Sequence, residues 1–187
     1  SMMNKSLQRL SSGLRINGAM DDAAGLGVSE RMRAQVRGLA QASRNANDGL
    51  SVVQTAEGAM GEISSILIRM RELSVQSASD TITDTERGYL DTEFKDMISE
   101  IDRITDSTKF NGNTLIDGTY AANGLDFQVG FESGTAFKIE VKIADVDSTA
   151  LAINTNDVAN KANANTAMGA LDAALDTLNT ARANLGS

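Results

Sequence analysis

The chain has 187 residues, 41% of them hydrophobic but only 4% aromatic, and a formal net charge of −8. That length suits one domain with at most a small appendage, packed by small and aliphatic side chains as in a thin helical bundle. Proline, cysteine, histidine and tryptophan are all absent, which excludes disulfides, thiolate metal sites and nucleophiles activated by histidine.

Residues 3–20 carry Leu7, Leu10, Leu14 and Ile16, interrupted by Gly13 and Gly18, and predict a short helix followed by a loop. Asp21 and Asp22 supply an N-cap and a first-turn negative charge for the next helix, expected to run to about Ser79. Leu39, Ser43, Ala46, Leu50, Val53 and Met60 follow alternating steps of four and three if Glu57 is passed over. Ala59, Ile63, Ile66, Met70 and Leu73 continue on a slightly shifted stripe, which is heptad-like spacing. At 1.5 Å per residue, about 57 helical residues predict a rod of roughly 85 Å.

A break follows at Ser77–Thr83, and Thr83-Asp-Thr-Glu86 fits a capping box. Leu90, Phe94, Met97, Ile101 and Ile104 mark a second amphipathic helix. Phe110-Asn-Gly-Asn-Thr-Leu115 carries a turn signal. The period then changes: Leu125, Phe127 and Val129 alternate, as do Phe137, Ile139, Val141 and Ile143, predicting two strands separated by Gly130–Gly134. Residues 144–165, rich in Asn, Thr and Asp, are expected to be loop. Met168, Leu171, Leu175, Leu178 and Leu185 return to heptads, with Arg182 on the stripe. The fold class is mainly α: an elongated antiparallel bundle of a long N-terminal helix, a second helix and a C-terminal helix, with a small β-hairpin region.

Charge is uneven. Residues 1–49 carry a net of +3 and residues 80–187 a net of −10, so the two parts are suited to attract each other within or between molecules. The acidic whole argues against nucleic-acid binding. No apolar run reaches the roughly 20 residues that span a bilayer, and no signal peptide is visible, so no membrane insertion is expected. Ser1-Met2 reads as a cloning remnant, and helical sequence at both ends predicts a segment cut from a longer coiled assembly.

Nothing marks catalysis. Glu93/Glu100 and Asp91/Asp102 sit on a helix with an apolar opposite face and read as solvated carboxylates. Gly25-Leu-Gly27 lacks the third glycine and the strand of a dinucleotide loop. Asp145-Val-Asp147 is too short for a calcium loop. No catalytic residue, metal or cofactor is expected, and the chain is expected not to be an enzyme. Gly38, Gly49, Gly58 and Gly61, inside the long helix, each cost about 1 kcal/mol relative to alanine. They are read as helix-packing and assembly positions where a neighbour approaches closely.

Several runs resemble bacterial flagellin: Ser6-Leu-Gln-Arg-Leu-Ser-Ser-Gly-Leu-Arg-Ile-Asn17, Asp21-Asp-Ala-Ala-Gly25, Arg37-Gly-Leu39, Gln41-Ala-Ser-Arg-Asn-Ala-Asn-Asp-Gly49, Gln54-Thr-Ala-Glu-Gly-Ala59, Arg71-Glu-Leu-Ser-Val-Gln76, Phe110-Asn-Gly-Asn-Thr-Leu115 and Leu171-Asp-Ala-Ala-Leu-Asp176. The resemblance covers nearly everything except about 118–160. It implies a filament subunit, exported unfolded and secreted, with core helices called D0 and a surrounding helical domain called D1. On that reading residues 1–20 are an N-terminal remnant and linker, with most of D0 removed. Residues 21–187 are the D1 rod domain, with a hairpin region at about 110–145 and a short variable loop at about 144–165. The implied partners are other flagellin subunits, export chaperones and, in a host, Toll-like receptor 5. The family's receptor motif falls on Arg69, Leu73 and Glu93, and Ile68 stands where receptor-activating members commonly have glutamine, a departure that bears on affinity. A hook–filament junction protein or an adhesin on the same scaffold are the alternatives.

Overall fold

The computed structural model describes residues 2–186. In chain order it contains α1 (Met2–Ser12), α2 (Ala23–Ser77), α3 (Asp84–Ser107), β1 (Lys109–Phe110), β2 (Asn113–Thr114), β3 (Leu125–Gln128), β4 (Lys138–Val141) and α4 (Lys161–Leu185). The mainly helical reading holds. α2 starts where Asp22 accepts the Gly25 N–H on Oδ1 at 2.9 Å, an N-cap satisfying one of the orphan donors of a first turn.

The chain divides into two compact units. One comprises Ser1–Ala46 and Gln128–Lys138. Here the Gln128–Lys138 segment turns back on itself: the Val129 and Gly130 N–H groups both donate to the Phe137 carbonyl, and the rings of Phe131 and Phe137 lie 6.1 Å apart. Asn45 donates through Nδ2 to the Gln128 carbonyl at 2.9 Å. A Cβ placed on Gly38 would lie 3.0 Å from the Phe131 Cβ, so the missing side chain admits the phenylalanine.

The other unit, Asn47–Phe127 with Ile139–Ser187, holds the core. Along α2, Val52, Ala56, Met60, Ile63, Leu67, Met70 and Leu73 are buried. α3 contributes Phe94, Ile98 and Ile101. α4 contributes Ala164, Ala167, Leu171, Ala174, Leu178, Ala181 and Leu185, in unbroken steps of three and four. Each large aliphatic side chain fully buried stabilises by about 1.5–3 kcal/mol, and the alternating alanines let helix axes approach closely. Both partner helices run antiparallel to α2. Arg71 pairs with Asp172 and Glu57 with Arg182, while Arg69 pairs with Glu93.

The capping box forms as read: Glu86 N–H donates to Thr83 Oγ1, and Thr83 N–H donates to Glu86 Oε2 at 2.7 Å. So does the turn at Asn111-Gly112. β1 and β2 pair antiparallel with Phe110 opposite Asn113, and both turn residues have positive φ, 49° and 85°. That is the geometry Asn-Gly favours in a two-residue hairpin. β3 pairs with β4.

Three expectations are corrected. First, the N-terminal part of the α2 stripe lies one residue earlier than the apolar spacing indicated. Leu39 and Leu50 are 50% and 54% exposed, whereas Ala42 and Val52 are buried. Second, the segment expected to be loop through residue 165 ends at Asn160, which caps α4 by accepting the Asn163 N–H. It is also no loose excursion: Val146, Leu151, Ile153 and Val158 are buried in the core. Third, Asp91 and Asp102 are not simply solvated. Asp91, 8% exposed, accepts the Val158 N–H at 3.0 Å. Asp102 accepts the N–H and the hydroxyl of Ser148 at 2.9 and 3.0 Å. These two carboxylates tether the segment before α4 to α3, a role invisible to a period-based reading of α3.

Candidate functional site

The short α2–α3 connection is held by a buried guanidinium. Arg87, 7% exposed, donates from Nε to the Ser77 carbonyl at 2.9 Å, from Nη2 to Ser79 at 2.6 Å and from Nη1 to Ile82 at 3.1 Å. Nη1 also reaches the Asp84 carboxylate at 3.2 Å. Carbonyls at the end of α2 and through the turn thereby gain donors, and α3 is fixed alongside α2. Sequence reading missed Arg87. Its one signal is a cation in the first turn of a helix, where an anion would suit the helix dipole better.

That register brings Arg69 and Glu93 together. Arg69 Nη2 lies 3.0 Å from Glu93 Oε1, and Nη1 lies 3.0 Å from Glu72 Oε2. The side chains are roughly half exposed, at 48%, 42% and 62% for Arg69, Glu93 and Glu72. The two carboxylates hold the Arg69 proton more tightly than usual, through hydrogen bonds to Glu72 and then Glu93. Two motif residues thus share one surface patch. Leu73 does not: it is fully buried in the core. The expected composite of Arg69, Leu73 and Glu93 side chains is corrected accordingly, because spacing of four on a helix gives proximity and not exposure.

Beside that patch on α2, Ile68 is half exposed and lines a shallow groove with Arg71, Glu72, Val75 and Gln76. Val75 is equally exposed and one heptad away. Arg71 closes one side of the groove by a two-point contact to Asp172 on α4, at 2.6 and 3.3 Å. The Arg71 hydrogen bond holds the Asp172 carboxyl below the usual carboxylate range.

The four α2 glycines read as packing positions, Gly38, Gly49, Gly58 and Gly61, divide into two kinds. Gly38 faces Phe131, and at Gly49 a Cβ would meet the Phe127 ring at 3.1–3.2 Å, so both are covered by aromatic side chains of this chain. A Cβ on Gly58 or Gly61 would meet nothing within 4 Å. Among the described residues no group of three potential ligands could hold a metal ion, and no helix is long and apolar enough to cross a membrane.

Residues 1–121 match the bacterial flagellin N-terminal helical region. The chain belongs to the bacterial flagellin family. This flagellin-family chain is 45% identical over 183 residues to the flagellin of Halalkalibacterium halodurans, across 98% of its own length and 66% of the relative's. It is 48% identical over 146 residues to polar flagellin F of Vibrio parahaemolyticus, across 78% of itself and 38% of that protein. Among solved structures, Bacillus cereus flagellin superposes with a TM-score of 0.65 at 34% identity, covering 76% of this chain and 81% of that one. The chain therefore spans 66% and 38% of the lengths of these two relatives.

Proposed function

We propose that this chain is the helical assembly domain of a flagellin, a structural, non-enzymatic subunit of the extracellular flagellar filament that polymerises with further subunits. Residues 21–187 correspond to D1 on this reading, and residues 1–20 lead toward the filament core. The observation that carries it is the family match over residues 1–121, in a chain whose long helix keeps Gly58 and Gly61 uncovered on its outer surface. Open glycines inside a helix are what close approach by a neighbouring subunit requires. Flagellar export chaperones are partners of the full-length chain before assembly. The test is electron microscopy of the full-length protein after polymerisation. Filaments are expected, and a folded protein that forms none under any polymerising condition contradicts the reading.

The finer reading is recognition by Toll-like receptor 5 through the face that carries Arg69 and Glu93. Its support is geometric: the two motif residues are 3.0 Å apart and half exposed, as an interface anchor and its orienting partner need to be. Leu73 then serves by packing, setting where Arg69 sits, and Ile68 supplies the adjacent apolar surface.

A further inference from the structure

We infer that Asn123 is a self-modification site: attack by the Gly124 amide nitrogen converts it, without an enzyme, to aspartate and isoaspartate. The Gly124 nitrogen gives up its proton and bonds to Cγ of the Asn123 side chain. The Cγ–Nδ2 bond breaks, and Nδ2 leaves as ammonia with that proton. Water then opens the resulting five-membered imide. Entry of water at Cγ restores the original backbone and leaves aspartate. Entry at the Asn123 backbone carbonyl leaves isoaspartate, with the chain continuing through the side chain. Water is consumed and ammonia released, one for one, with no oxidation or reduction.

Glycine after asparagine favours the attack, because no Cβ shields the nitrogen. The chain holds three such pairs, Asn17-Gly18, Asn111-Gly112 and Asn123-Gly124, and the fold treats them differently. Asn111 stands at a positive φ of 49° in the two-residue hairpin between β1 and β2. In that left-handed conformation ψ is about +30 to +60°, which turns the next nitrogen away from Cβ. The imide cannot close there until the hairpin opens. Asn17 is half-buried, and its Nδ2 donates to the Leu14 carbonyl at 3.4 Å while its N–H donates to Asp21 Oδ2 at 3.4 Å. The first bond draws the side-chain amide back toward the preceding turn and away from the Gly18 nitrogen.

Asn123 has neither restraint. It is exposed, at negative φ, in a bend just before β3. Among the described residues Ala122, Asn123 and Gly124 make no hydrogen bond, so the bend can rotate without breaking one. The glycine itself is demanded by the fold. A Cβ on Gly124 would lie 2.7 Å from the Val141 carbonyl oxygen and 2.8 Å from Glu140 Cγ, so no larger residue fits there without displacing the β4 backbone. The close approach of β4 therefore places the most reactive follower beside an exposed asparagine. The product carries a new carboxylate next to the residue that packs on Glu140, and makes the net charge of −8 one unit more negative. In isoaspartate the backbone also gains a methylene at the entry to β3.

The test is peptide mapping by mass spectrometry of the 187-residue chain, incubated in mildly alkaline buffer with and without urea. Conversion at each asparagine is read as a gain of one mass unit. In urea the three pairs are expected to convert at similar rates, since each is the same dipeptide in an open chain. In the native chain Asn123 is expected to keep close to its urea rate, with Asn111 and Asn17 slowed about tenfold or more by the need for local opening. Asn123→Gln should remove the leading acidic species that ion-exchange chromatography resolves as the native chain ages, because the longer side chain closes its ring far more slowly. The position is exposed, and unchanged helical circular dichroism verifies folding. Native conversion led by Asn111 or Asn17 would overturn the inference. So would Asn123 slowed as much as they are, or an acidic species that persists undiminished in the Asn123→Gln variant.

Discussion

At the scale of single residues, two weak helix formers of α2, Asn45 and Gly49, are explained by what covers them. Asn45 and Gly49 sit on the buried stripe, where a periodicity search expects Leu or Val. The Gln128 carbonyl and the Phe127 ring occupy those positions instead. Gly49→Leu is therefore expected to destabilise the fold itself, by about 1–3 kcal/mol from overpacking against Phe127, whereas Gly58→Leu is expected to leave stability nearly unchanged. Urea unfolding midpoints of the two variants check this. Arg87 is the second residue with a sharp expectation. Replacing it by alanine withdraws a charged donor from three carbonyls and should cost about 2–3 kcal/mol, read as a shifted unfolding midpoint at unchanged slope. Arg69→Ala is different in kind. The side chain is half exposed and its ion pairs are superficial, so folding should be unaffected, while affinity for the Toll-like receptor 5 ectodomain should fall by at least about 1 kcal/mol. Unchanged affinity in a titration of that variant removes Arg69 from the receptor site.

Among the elements, legibility followed how far a signal depended on its own segment. The capping box at Thr83–Glu86 and the Asn111-Gly112 hairpin were readable because a few neighbouring residues set the geometry. The helices α2, α3 and α4 were readable from their period. The segment 144–160 was not, because what orders it lies elsewhere: Asp91 and Asp102 on α3 bind its backbone, and its four buried aliphatics are too irregularly spaced to show a period. The candidate receptor surface was half legible for a similar reason. A motif names Arg69, Leu73 and Glu93, but only the packing of α3 on α2 decides that Leu73 points inward. The expectation at this scale is that Asp102→Ala costs about 1–3 kcal/mol, from the unpaired Ser148 N–H and hydroxyl. Hydrogen exchange of the Ser148 amide should accelerate, while exchange in the α2 core barely changes.

For the whole molecule, acidity matters because several carboxylates are bound. Asp80 is held below its ordinary range by Lys161, Glu86 by the Thr83 N–H and hydroxyl, Glu100 by Arg103 and Asp172 by Arg71. A depressed carboxylate contributes stability above its unfolded pKa of about 4 and loses it as pH falls through the lower folded value. Stability is thus expected to be flat from pH 7 to about pH 5 and to decline below about pH 4. Because all four groups are exposed, the decline should be shallow and further reduced by salt. Denaturant midpoints across that range, at low and high salt, measure it. The central claim, that this is the assembly domain of a flagellin, is tested most directly by an electron cryomicroscopy reconstruction of filaments grown from the full-length protein. The account predicts Gly58 and Gly61 in contact with a neighbouring subunit, and Gly38 and Gly49 still covered by Phe131 and Phe127 of their own chain. Filaments in which Gly58 and Gly61 face solvent would contradict it.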